Sequence, residues 1–441
     1  MRCLSWIVVL AGTLSALASE TRPNILLIIA DDLGLDKVGV YGLGDPETRP
    51  STPNIDRLAA EGLRFNNFYA TPVCSATRAT ILTGQYGHRN GIRDVILRGQ
   101  GDPPLELTDV VLPRRLTAGG YDHAHVGKWH LGGRRDTQHP MKAGWKWTAG
   151  LLDNPARRGD YWNYTKHTNG KAEQISGKYL TSDTTDDALA RIKEMKQPWL
   201  LWVAYHAPHA PLHVAPSSLQ KRGDADTVGK DPAAQYRTMV EALDTEIGRL
   251  LAGLDAKTRA RTTVIFLGDN GTLRAAVRPP FSRREAKGTL LSGGCKVPLI
   301  VQGFGVPEAR RGTASDTLAE SVDLYATMLD LAGIKVEGDV HGKSLLPHIQ
   351  LGRPHRSFAY AEHQLMVMIT DGQFRLVREA KAGNTSKVQF YDMRDARVGS
   401  DGDNLCPPLA GGSPGVLSRP QRTAYRKLNA EVDRILEGQG D

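Results

Sequence analysis

Residues 23–32, PNILLIIADD, are a continuous apolar run of strand length that ends in two aspartates. Such a run, without polar alternation, is typical of a strand buried on both faces of a parallel sheet. Residues 261–271, RTTVIFLGDNG, repeat the pattern, and two further apolar runs occupy residues 198–211, PWLLWVAYHAPHAP, and 297–305, VPLIVQGFG. We therefore predict a parallel sheet of buried strands.

Segments of helical periodicity alternate with these runs through most of the chain. The helical segments are residues 52–62, 112–120, 184–196 and 233–254. Strands that alternate with helices predict an α/β protein with helices on both faces of the sheet.

The length of the chain indicates more than one domain. With 441 residues the chain exceeds the usual size of a single hydrophobic core, so a large domain with a smaller appendage is expected.

The character of the sequence changes after GKSLLP at 342–347. Short strand-like runs follow, two of them joined by a turn at 371–372, and a helical segment near 419–437 closes the chain. Short runs joined by turns are typical of a small antiparallel sheet. We expect a large domain at 19–349 and a small C-terminal α+β subdomain at 350–441.

The first 18 residues, MRCLSWIVVLAGTLSALA, are arranged like a secretory signal peptide. Arg2 precedes an apolar run that ends in Ala16-Leu17-Ala18, a small-x-small cleavage pattern. A membrane anchor is disfavoured, because a span needs about 20 apolar residues and this run is shorter. We expect export to an extracellular, periplasmic or lysosomal-type compartment, with no membrane span after cleavage.

The net charge of +8 is compatible with an anionic substrate. A nucleic-acid partner is not expected, because the sequence contains no basic run with interleaved aromatic residues and no nucleic-acid motif. The charge alone does not distinguish a small acidic substrate from a polymeric one.

Counting the cysteines singles out one residue. Loss of Cys3 with the signal peptide leaves Cys74, Cys295 and Cys406, an odd number for an oxidising compartment, at spacings that fit no zinc or redox motif. One cysteine is therefore expected to be unpaired or altered, and Cys295 with Cys406 is a candidate disulfide. Cys74 has three interpretations: a small buried side chain, a thiolate whose pKa is lowered by Arg78, or a precursor of another group.

Polar residues follow two of the buried strands directly. Asp31 and Asp32 follow the first run, and Asp269 and Asn270 follow the second. Ligands bind beyond the carboxyl ends of strands in open α/β sheets, and these oxygens suit Ca²⁺ or Mg²⁺. A helix N-cap and a turn are the structural alternatives, but the matching placement favours a metal site. A soft thiolate suits such a cation poorly, so an oxygen nucleophile is expected.

Basic residues supply candidates for binding an oxyanion and moving protons. Lys128 and His130 lie two apart in GKWHLGG, where a strand end would place them on one face. His206 and His209 lie in HAPHAP, and Lys287 lies in the glycine-rich AKGTLLSGG. Taken singly, such residues are usually structural. We assign structural roles to the remaining singled-out histidines, His88, His123, His125 and His213.

Six blocks in sequence order resemble the formylglycine-dependent sulfatases of the alkaline phosphatase-like superfamily. The family signature, Cys-x-Pro or Ala-x-Arg followed by Thr-Gly, appears as CSATR at 74–78 with TG at 83–84. The strand ending in two aspartates, GKWHLG, APHAP, GDNG and KGTLLSGG are the other blocks. The resemblance covers residues 22–347 and implies a large mixed, mostly parallel sheet between helices, with a small antiparallel sheet after it.

This resemblance implies a chemical fate for Cys74. A formylglycine-generating maturation enzyme would oxidise Cys74 to an aldehyde, and one hydroxyl of the aldehyde hydrate would attack the sulfur of a sulfate ester. Loss of the second hydroxyl's proton would then expel sulfate and restore the aldehyde. The implied activity is that of a secreted sulfatase acting on sulfate monoesters, with carbohydrate as the expected carrier.

The resemblance also implies roles for the other residues. Arg78 and Lys128 would orient the hydrate and neutralise charge, and His130 would accept the proton of its second hydroxyl. Lys128, Lys287 and His209 would bind the sulfate, and the last two would stabilise the departing oxygen. The implied ligands of one Ca²⁺ per chain are Asp31, Asp32, Cys74 in its modified form, Asp269 and Asn270.

Two positions depart from the family pattern. Ala76 replaces the commoner proline, a variant that the maturation motif admits. Ser292 replaces the glutamate that usually precedes Gly-Gly, which puts the loop carrying Lys287 in question. His209 fills the family position in APHAP, whereas His206, just outside it, is a second candidate for substrate contact.

The sequence leaves two other functions open. Related enzymes with the same metal site and formylglycine hydrolyse phosphonate or phosphate esters, and a non-catalytic binding protein could keep the fold with an unmodified Cys74. The complete set of ligand and basic residues argues against decay to a binding protein. Four aromatic residues could line a saccharide subsite or pack in the core, namely Trp145, Trp147, Tyr161 and Trp162.

Overall fold

One large sheet is built around the first apolar run of the chain. The predicted signal peptide and Cys406 lie outside the part of the chain that the structure describes. None of the described helices is both long enough and apolar enough to cross a membrane. The structure, a computed structural model, describes residues 22–97, 102–133, 136–155, 160–222, 229, 231–381, 387–394 and 417–438.

The large sheet contains ten strands, and five of their nine pairings are parallel. The strands are β1 (Asn24–Ala30), β2 (Gly62–Tyr69), β3 (Asp122–Gly127), β4 (Trp147–Gly150), β5 (Tyr164–Thr168), β6 (Lys171–Ile175), β7 (Trp199–Tyr205), β8 (Thr262–Gly268), β9 (Leu299–Gly303) and β10 (Thr313–Glu320).

The strand order is β10-β2-β9-β8-β1-β7-β3-β4-β5-β6, which places the first strand of the chain near the middle. The consecutive strands β8, β1, β7, β3 and β4 are mutually parallel. Antiparallel neighbours flank this central group on both sides. The predicted mixed, mostly parallel sheet is confirmed.

Helices cover both faces of the sheet. Ile25, Leu27 and Ile29 of β1 enter one apolar core, and the alternate residues Leu26 and Ile28 enter the other. Burial on both faces explains why this strand shows no polar alternation. The α-helices are α1 (Pro53–Ala60), α2 (Cys74–Thr83), α3 (Gly87–Asn90), α4 (Leu112–Ala118), α5 (His139–Lys142), α6 (Leu180–Glu194), α7 (Pro232–Ala252), α8 (Ala256–Ala260), α9 (Ser292–Cys295), α10 (Asp323–Leu331), α11 (Leu346–Leu351) and α12 (Arg419–Leu436).

A second, four-stranded sheet follows, and its strands pair antiparallel in chain order. Helix α12 packs against it through Leu428 and Val432, within a separate apolar core. The small antiparallel sheet with one helix is therefore confirmed. Its strands are β11 (Ala359–His363), β12 (Met366–Thr370), β13 (Phe374–Glu379) and β14 (Val388–Asp392).

One local prediction was wrong. Strand β3 ends at Gly127, so Lys128 and His130 lie beyond it and share no strand face. Gly127 has a φ of 96°, and a Cβ at this position would lie 2.0 Å from the carbonyl oxygen of Ala204. Only glycine fits both the left-handed backbone and the close approach. The turn after Gly127 therefore sets the directions of both side chains.

Candidate active site

Four oxygen-bearing side chains meet where β1 and β8 end. The two strands are parallel neighbours in register, so Asp31 and Asp32 lie beside Asp269 and Asn270. The backbone amide of Asp32 donates to Asp269 Oδ1 at 3.0 Å, and Asn270 Nδ2 donates to Asp32 Oδ1 at 2.8 Å. All four residues are fully buried. The fold thus brings together four of the five side chains that were predicted to hold a metal.

Three oxygens of this group have no hydrogen-bond partner among the described residues. They are Asp31 Oδ1, Asp32 Oδ2 and Asn270 Oδ1. An unsatisfied buried polar atom costs about 1–3 kcal/mol, and more when it is charged. A hard divalent cation would satisfy all three. Ligand atoms of Asp31, Asp32 and His209 also lie within 4.8 Å of one another, so this donor set fits a metal ion.

Arg78 and Lys128 neutralise two of the carboxylates. Arg78 donates from one guanidinium nitrogen to Asp269 Oδ2 at 2.9 Å and from the other to the carbonyl oxygen of Lys128 at 2.8 Å. Lys128 Nζ donates to Asp31 Oδ2. Burial alone would raise the pKa of Asp31, but the attraction of Lys128 and other cations holds it well below its ordinary value. The carboxylate of Asp31 is therefore ionised.

Lys287 approaches the same oxygens from the opposite loop. Its Nζ donates to Asp32 Oδ1 at 2.5 Å, and its backbone amide donates to the carbonyl oxygen of Thr272 at 3.1 Å. The amide of Gly288 donates to the carbonyl oxygen of Pro72, just before α2. Burial alone would lower the pKa of Lys287, but Asp32 raises it above its ordinary value. The side chain is therefore a fixed cation.

The glycines around this loop pack backbone against backbone. The amide of Gly271 donates to the carbonyl oxygen of Gly294 at 2.9 Å, and a Cβ on Gly271 would lie 1.8 Å from the carbonyl oxygen of Gly293. Ser292, which replaces the usual glutamate, is buried at the start of α9. This substitution leaves the loop closed, since Lys287 still reaches the carboxylate group.

Cys74 and His130 face each other across the site. Cys74 Sγ lies 3.2 Å from Nδ1 of His130, and His130 Nε2 lies 3.2 Å from the carbonyl oxygen of Ile96. Because a carbonyl oxygen can only accept, Nε2 carries the proton and Nδ1 presents a lone pair to residue 74. Burial, and then Lys128, holds the pKa of His130 well below its usual range. A neutral ring is thus poised to accept a proton.

The thiol of Cys74 is not set up as a nucleophile. Burial raises its pKa above the ordinary value, although Lys128 and Lys287 oppose the shift. The thiol is therefore protonated at neutral pH, and the thiolate is the reactive form. The raised pKa of the Cys74 thiol disfavours the thiolate interpretation and leaves the buried thiol and the precursor.

The loop that supplies the Ile96 carbonyl is held from two sides, and no sequence pattern predicts it. The amide of Ile96 donates to Ser75 Oγ at 3.1 Å, beside Cys74. From the second sheet, the amide of Gln364 donates to the carbonyl oxygen of Arg93 at 2.9 Å, and Gln364 Nε2 donates to Asp94 Oδ2 at 2.7 Å. The loop therefore links the β11–β12 hairpin to His130.

Two histidines follow β7 in a proline-rich turn. Burial lowers the pKa of His209 to about 4, although Asp32 opposes the shift. His209 Nδ1 lies 2.7 Å from the carbonyl oxygen of Ala210 and Nε2 lies 3.7 Å from Asp32 Oδ2, so the lone pair on Nε2 faces the carboxylates. To protonate a departing oxygen, Nε2 must carry the proton. His206 Nε2 lies 3.2 Å from the carbonyl oxygen of Asp153.

The aromatic residues flagged from the sequence divide between core and rim. Trp145 and Tyr161 are fully buried in the two large cores, as the core-packing alternative predicts. Trp147 and Trp162 are half-buried against the second of these cores. The four histidines to which structural roles were assigned contact other groups: His88 contacts Glu362, His123 contacts Thr117, His125 contacts the carbonyl of Lys128, and His213 contacts Tyr179.

Known proteins resemble this chain in sequence and in structure. The sulfatase family model matches residues 23–334. Human N-acetylgalactosamine-6-sulfatase is 32% identical over 400 residues, covering 82% of this chain and 72% of its own length, and the dog protein is 31% identical, covering 84% and 74%. The solved structure of Ps i-CgsB in complex with k-i-k-neocarrahexaose has a TM-score of 0.78 at 25% identity, covering 95% of this chain and 93% of that chain. This chain therefore belongs to the sulfatase family and is a sulfuric ester hydrolase.

Proposed function

We propose that the chain is exported and hydrolyses sulfate monoesters of carbohydrates, using a formylglycine made from Cys74 and a bound Ca²⁺. The observation that carries this proposal is a set of buried oxygens beside Cys74, from Asp31, Asp32 and Asn270, that accept no hydrogen bond from the part of the chain that the structure describes. Carbohydrate is supported by the relatives, a sulfatase named for N-acetylgalactosamine and a structure that holds a neocarrahexaose. The catalytic domain would span residues 19–349, with 350–441 as a C-terminal subdomain.

The charges of the inner site support a divalent cation. When all are ionised, the three carboxylates of the group balance the cationic side chains of Arg78, Lys128 and Lys287. Burial, and then Asp31, raise the pKa of Asp269 to about 7, and a bound divalent cation would keep that carboxylate ionised. A bound Ca²⁺ would make the site positive and would neutralise the sulfate oxygen that it contacts. Asn270 Oδ1 would complete the protein ligands together with modified Cys74. The carboxylate and amide donors are oxygens, which suit Ca²⁺ better than zinc, and His209 is assigned to the departing oxygen instead of the metal.

A formylglycine at position 74 would supply the nucleophilic hydroxyl that the protonated thiol lacks. Its formation would require a maturation enzyme that acts on the CSATR segment. The neutral His130 is oriented to accept a proton from the side chain of residue 74 through Nδ1. Arg78 is fully buried and holds the Lys128 carbonyl, so its main task would be to fix this arrangement.

The side chains that contact these carboxylates would also bind the sulfate. Lys128 and Lys287 each contact one carboxylate and would turn part of their donor capacity to the sulfate oxygens. His209 would stabilise the departing oxygen once Nε2 carries a proton. His206 is less available, because it is buried and its Nε2 faces the carbonyl of Asp153.

Mass spectrometry of the peptide at residues 65–78, FNNFYATPVCSATR, tests the modification directly. Protein from a host that has the maturation enzyme should show the aldehyde in place of the Cys74 thiol. The same preparation should hydrolyse 4-nitrophenyl sulfate faster than the matching phenyl phosphonate ester, and Cys74→Ala should be inactive. An intact thiol in that preparation would support the binding-protein alternative, and a preference for the phosphonate would support the phosphonate hydrolase.

A further inference from the structure

A long loop joins Asn270 to Lys287, and we call residues 272–286 the arginine loop. It leaves the carboxyl end of β8, and the amide of Lys287 donates to the carbonyl oxygen of Thr272 at 3.1 Å, which closes its base. Both ends of the loop therefore lie at the candidate active site. Arg284 is three residues from Lys287, so their Cα atoms are at most about 10 Å apart.

The loop is anchored to the body of the protein by apolar side chains. Val277, Phe281 and Ala286 are buried in a small core with Leu35 and Leu43. These contacts fix the course of the loop, since removing each apolar side chain from a packed core is costly. The loop therefore presents its polar side chains from a defined position beside the site.

Three arginines of the loop are exposed and, within the described part of the chain, form no ion pair. They are Arg274, Arg283 and Arg284, and Arg283 Nε lies 3.4 Å from the carbonyl oxygen of Arg274, so two of them are adjacent. The fourth arginine differs, because Arg278 pairs with Asp231 at 3.4 Å. Guanidinium groups form bidentate hydrogen bonds to tetrahedral oxyanions, and they are more weakly hydrated than the ammonium group of lysine. These three side chains suit sulfate groups.

We propose that the arginine loop binds further sulfate groups of a polysulfated saccharide chain whose scissile sulfate lies at Lys287. This inference rests on the proposed function, because it places the reacting sulfate at the base of the loop. A substrate with one sulfate would contact only the buried site, whereas a polysulfated chain would also contact the arginines. The loop thereby selects polyanionic saccharides over small monosulfates.

Direct binding of a fluorescent, fully sulfated maltohexaose tests the proposal. Anisotropy is measured on the full chain with Cys74→Ala, which prevents turnover. Adding Arg274→Ser, Arg283→Ser and Arg284→Ser should raise the Kd about tenfold, the sum of three exposed ion pairs. In the mature protein without the Cys74→Ala change, the same three arginine substitutions should leave kcat/KM for 4-nitrophenyl sulfate unchanged.

A matched triple variant separates local binding from bulk charge. Lys193, Lys196 and Lys257 are exposed at the amino ends of β7 and β8, the opposite edge of the sheet, and changing all three to serine removes the same charge. This control should change the Kd by less than about twofold.

Three outcomes would overturn the proposal: an unchanged Kd in the arginine variant, an equal loss in the lysine control, or a DNA duplex of matching charge that binds as tightly. Failure of the proposed function has a different signature, namely no hydrolysis of 4-nitrophenyl sulfate with the arginine-dependent binding intact.

Discussion

The close packing of Gly271 against the Gly293-Gly294 pair predicts a large effect of adding one methyl group. In Gly271→Ala the new Cβ would lie 1.8 Å from the Gly293 carbonyl oxygen and 2.8 Å from the Gly294 Cα. These are backbone atoms, so no side chain can rotate to make room. The two segments would have to separate, and the hydrogen bond from the Gly271 amide to Gly294 would be lost.

Two effects of Gly271→Ala lower the free energy of unfolding, namely overpacking and the loss of a hydrogen bond. Overpacking in a closed site costs about 1–3 kcal/mol, and loss of one buried hydrogen bond adds about 1 kcal/mol. We expect the free energy of unfolding to fall by about 2–4 kcal/mol. Separation of the segments would also pull Asn270 away from Lys287, so Ca²⁺ affinity and sulfatase activity should fall together.

Urea denaturation with an unchanged m-value measures the loss, and Gly133→Ala is the control. A Cβ on Gly133 would meet no atom of the described residues within 4 Å, and its backbone is not left-handed. Gly133→Ala should therefore be neutral or stabilising, by up to about 1 kcal/mol. A loss below about 1 kcal/mol for Gly271→Ala would refute the packing argument.

Three other substitutions test the chemistry and the electrostatics. His130→Gln should lower kcat for 4-nitrophenyl sulfate by about 10²–10⁴, with little change in KM, because it removes a proton acceptor. Asn270→Leu should weaken Ca²⁺ binding about tenfold to hundredfold in calorimetry, because it removes one buried ligand oxygen. His125 has a pKa lowered to about 3 by burial and then by Arg78. Its contribution to the free energy of unfolding is therefore full above pH 6.5. That contribution is lost as the pH falls below 6.5, because the unfolded chain then takes up a proton that the folded chain does not. His125→Phe should flatten the pH dependence of unfolding between pH 6.5 and 4 by up to about 1.4 kcal/mol per pH unit.

Each of these has an outcome that contradicts its reasoning. A raised KM at constant kcat in the His130 variant would make that residue a binding group instead of a base. Unchanged Ca²⁺ affinity after loss of the Asn270 amide would remove it from the ligand set. Parallel stability curves for wild type and the His125 variant would show that another group causes the acid sensitivity.

The sequence predicted the site residues best at the ends of strands that are buried on both faces of the sheet. Asp31-Asp32 and Asp269-Asn270 could be placed together, because parallel strands bring their carboxyl ends to one edge. Strand β2 was not predicted, since its burial alternates irregularly and it carries Arg64 and Asn66-Asn67. Strand β6 is almost wholly exposed, so no apolar pattern marks it.

The parts of the site that the sequence did not reveal depend on backbone groups. The tautomer of His130 is set by the carbonyl of Ile96, which every residue type carries, so no side chain marks the position. The directions of Lys128 and His130 depend on the turn after Gly127, not on strand alternation. Tertiary contacts of this kind become visible only once the chain is folded.

The contact between Gln364 and the Arg93–Asp94 loop has a practical consequence. The second sheet holds the loop that orients His130 through these hydrogen bonds. A fragment that ends at residue 350 contains every proposed catalytic side chain, but it lacks these bonds. His130 should therefore be misaligned in this fragment. Co-expression of the remaining fragment should restore the alignment of His130 and with it the sulfatase activity. The two pieces would then behave as a split enzyme, whose activity reports that its halves have reassembled.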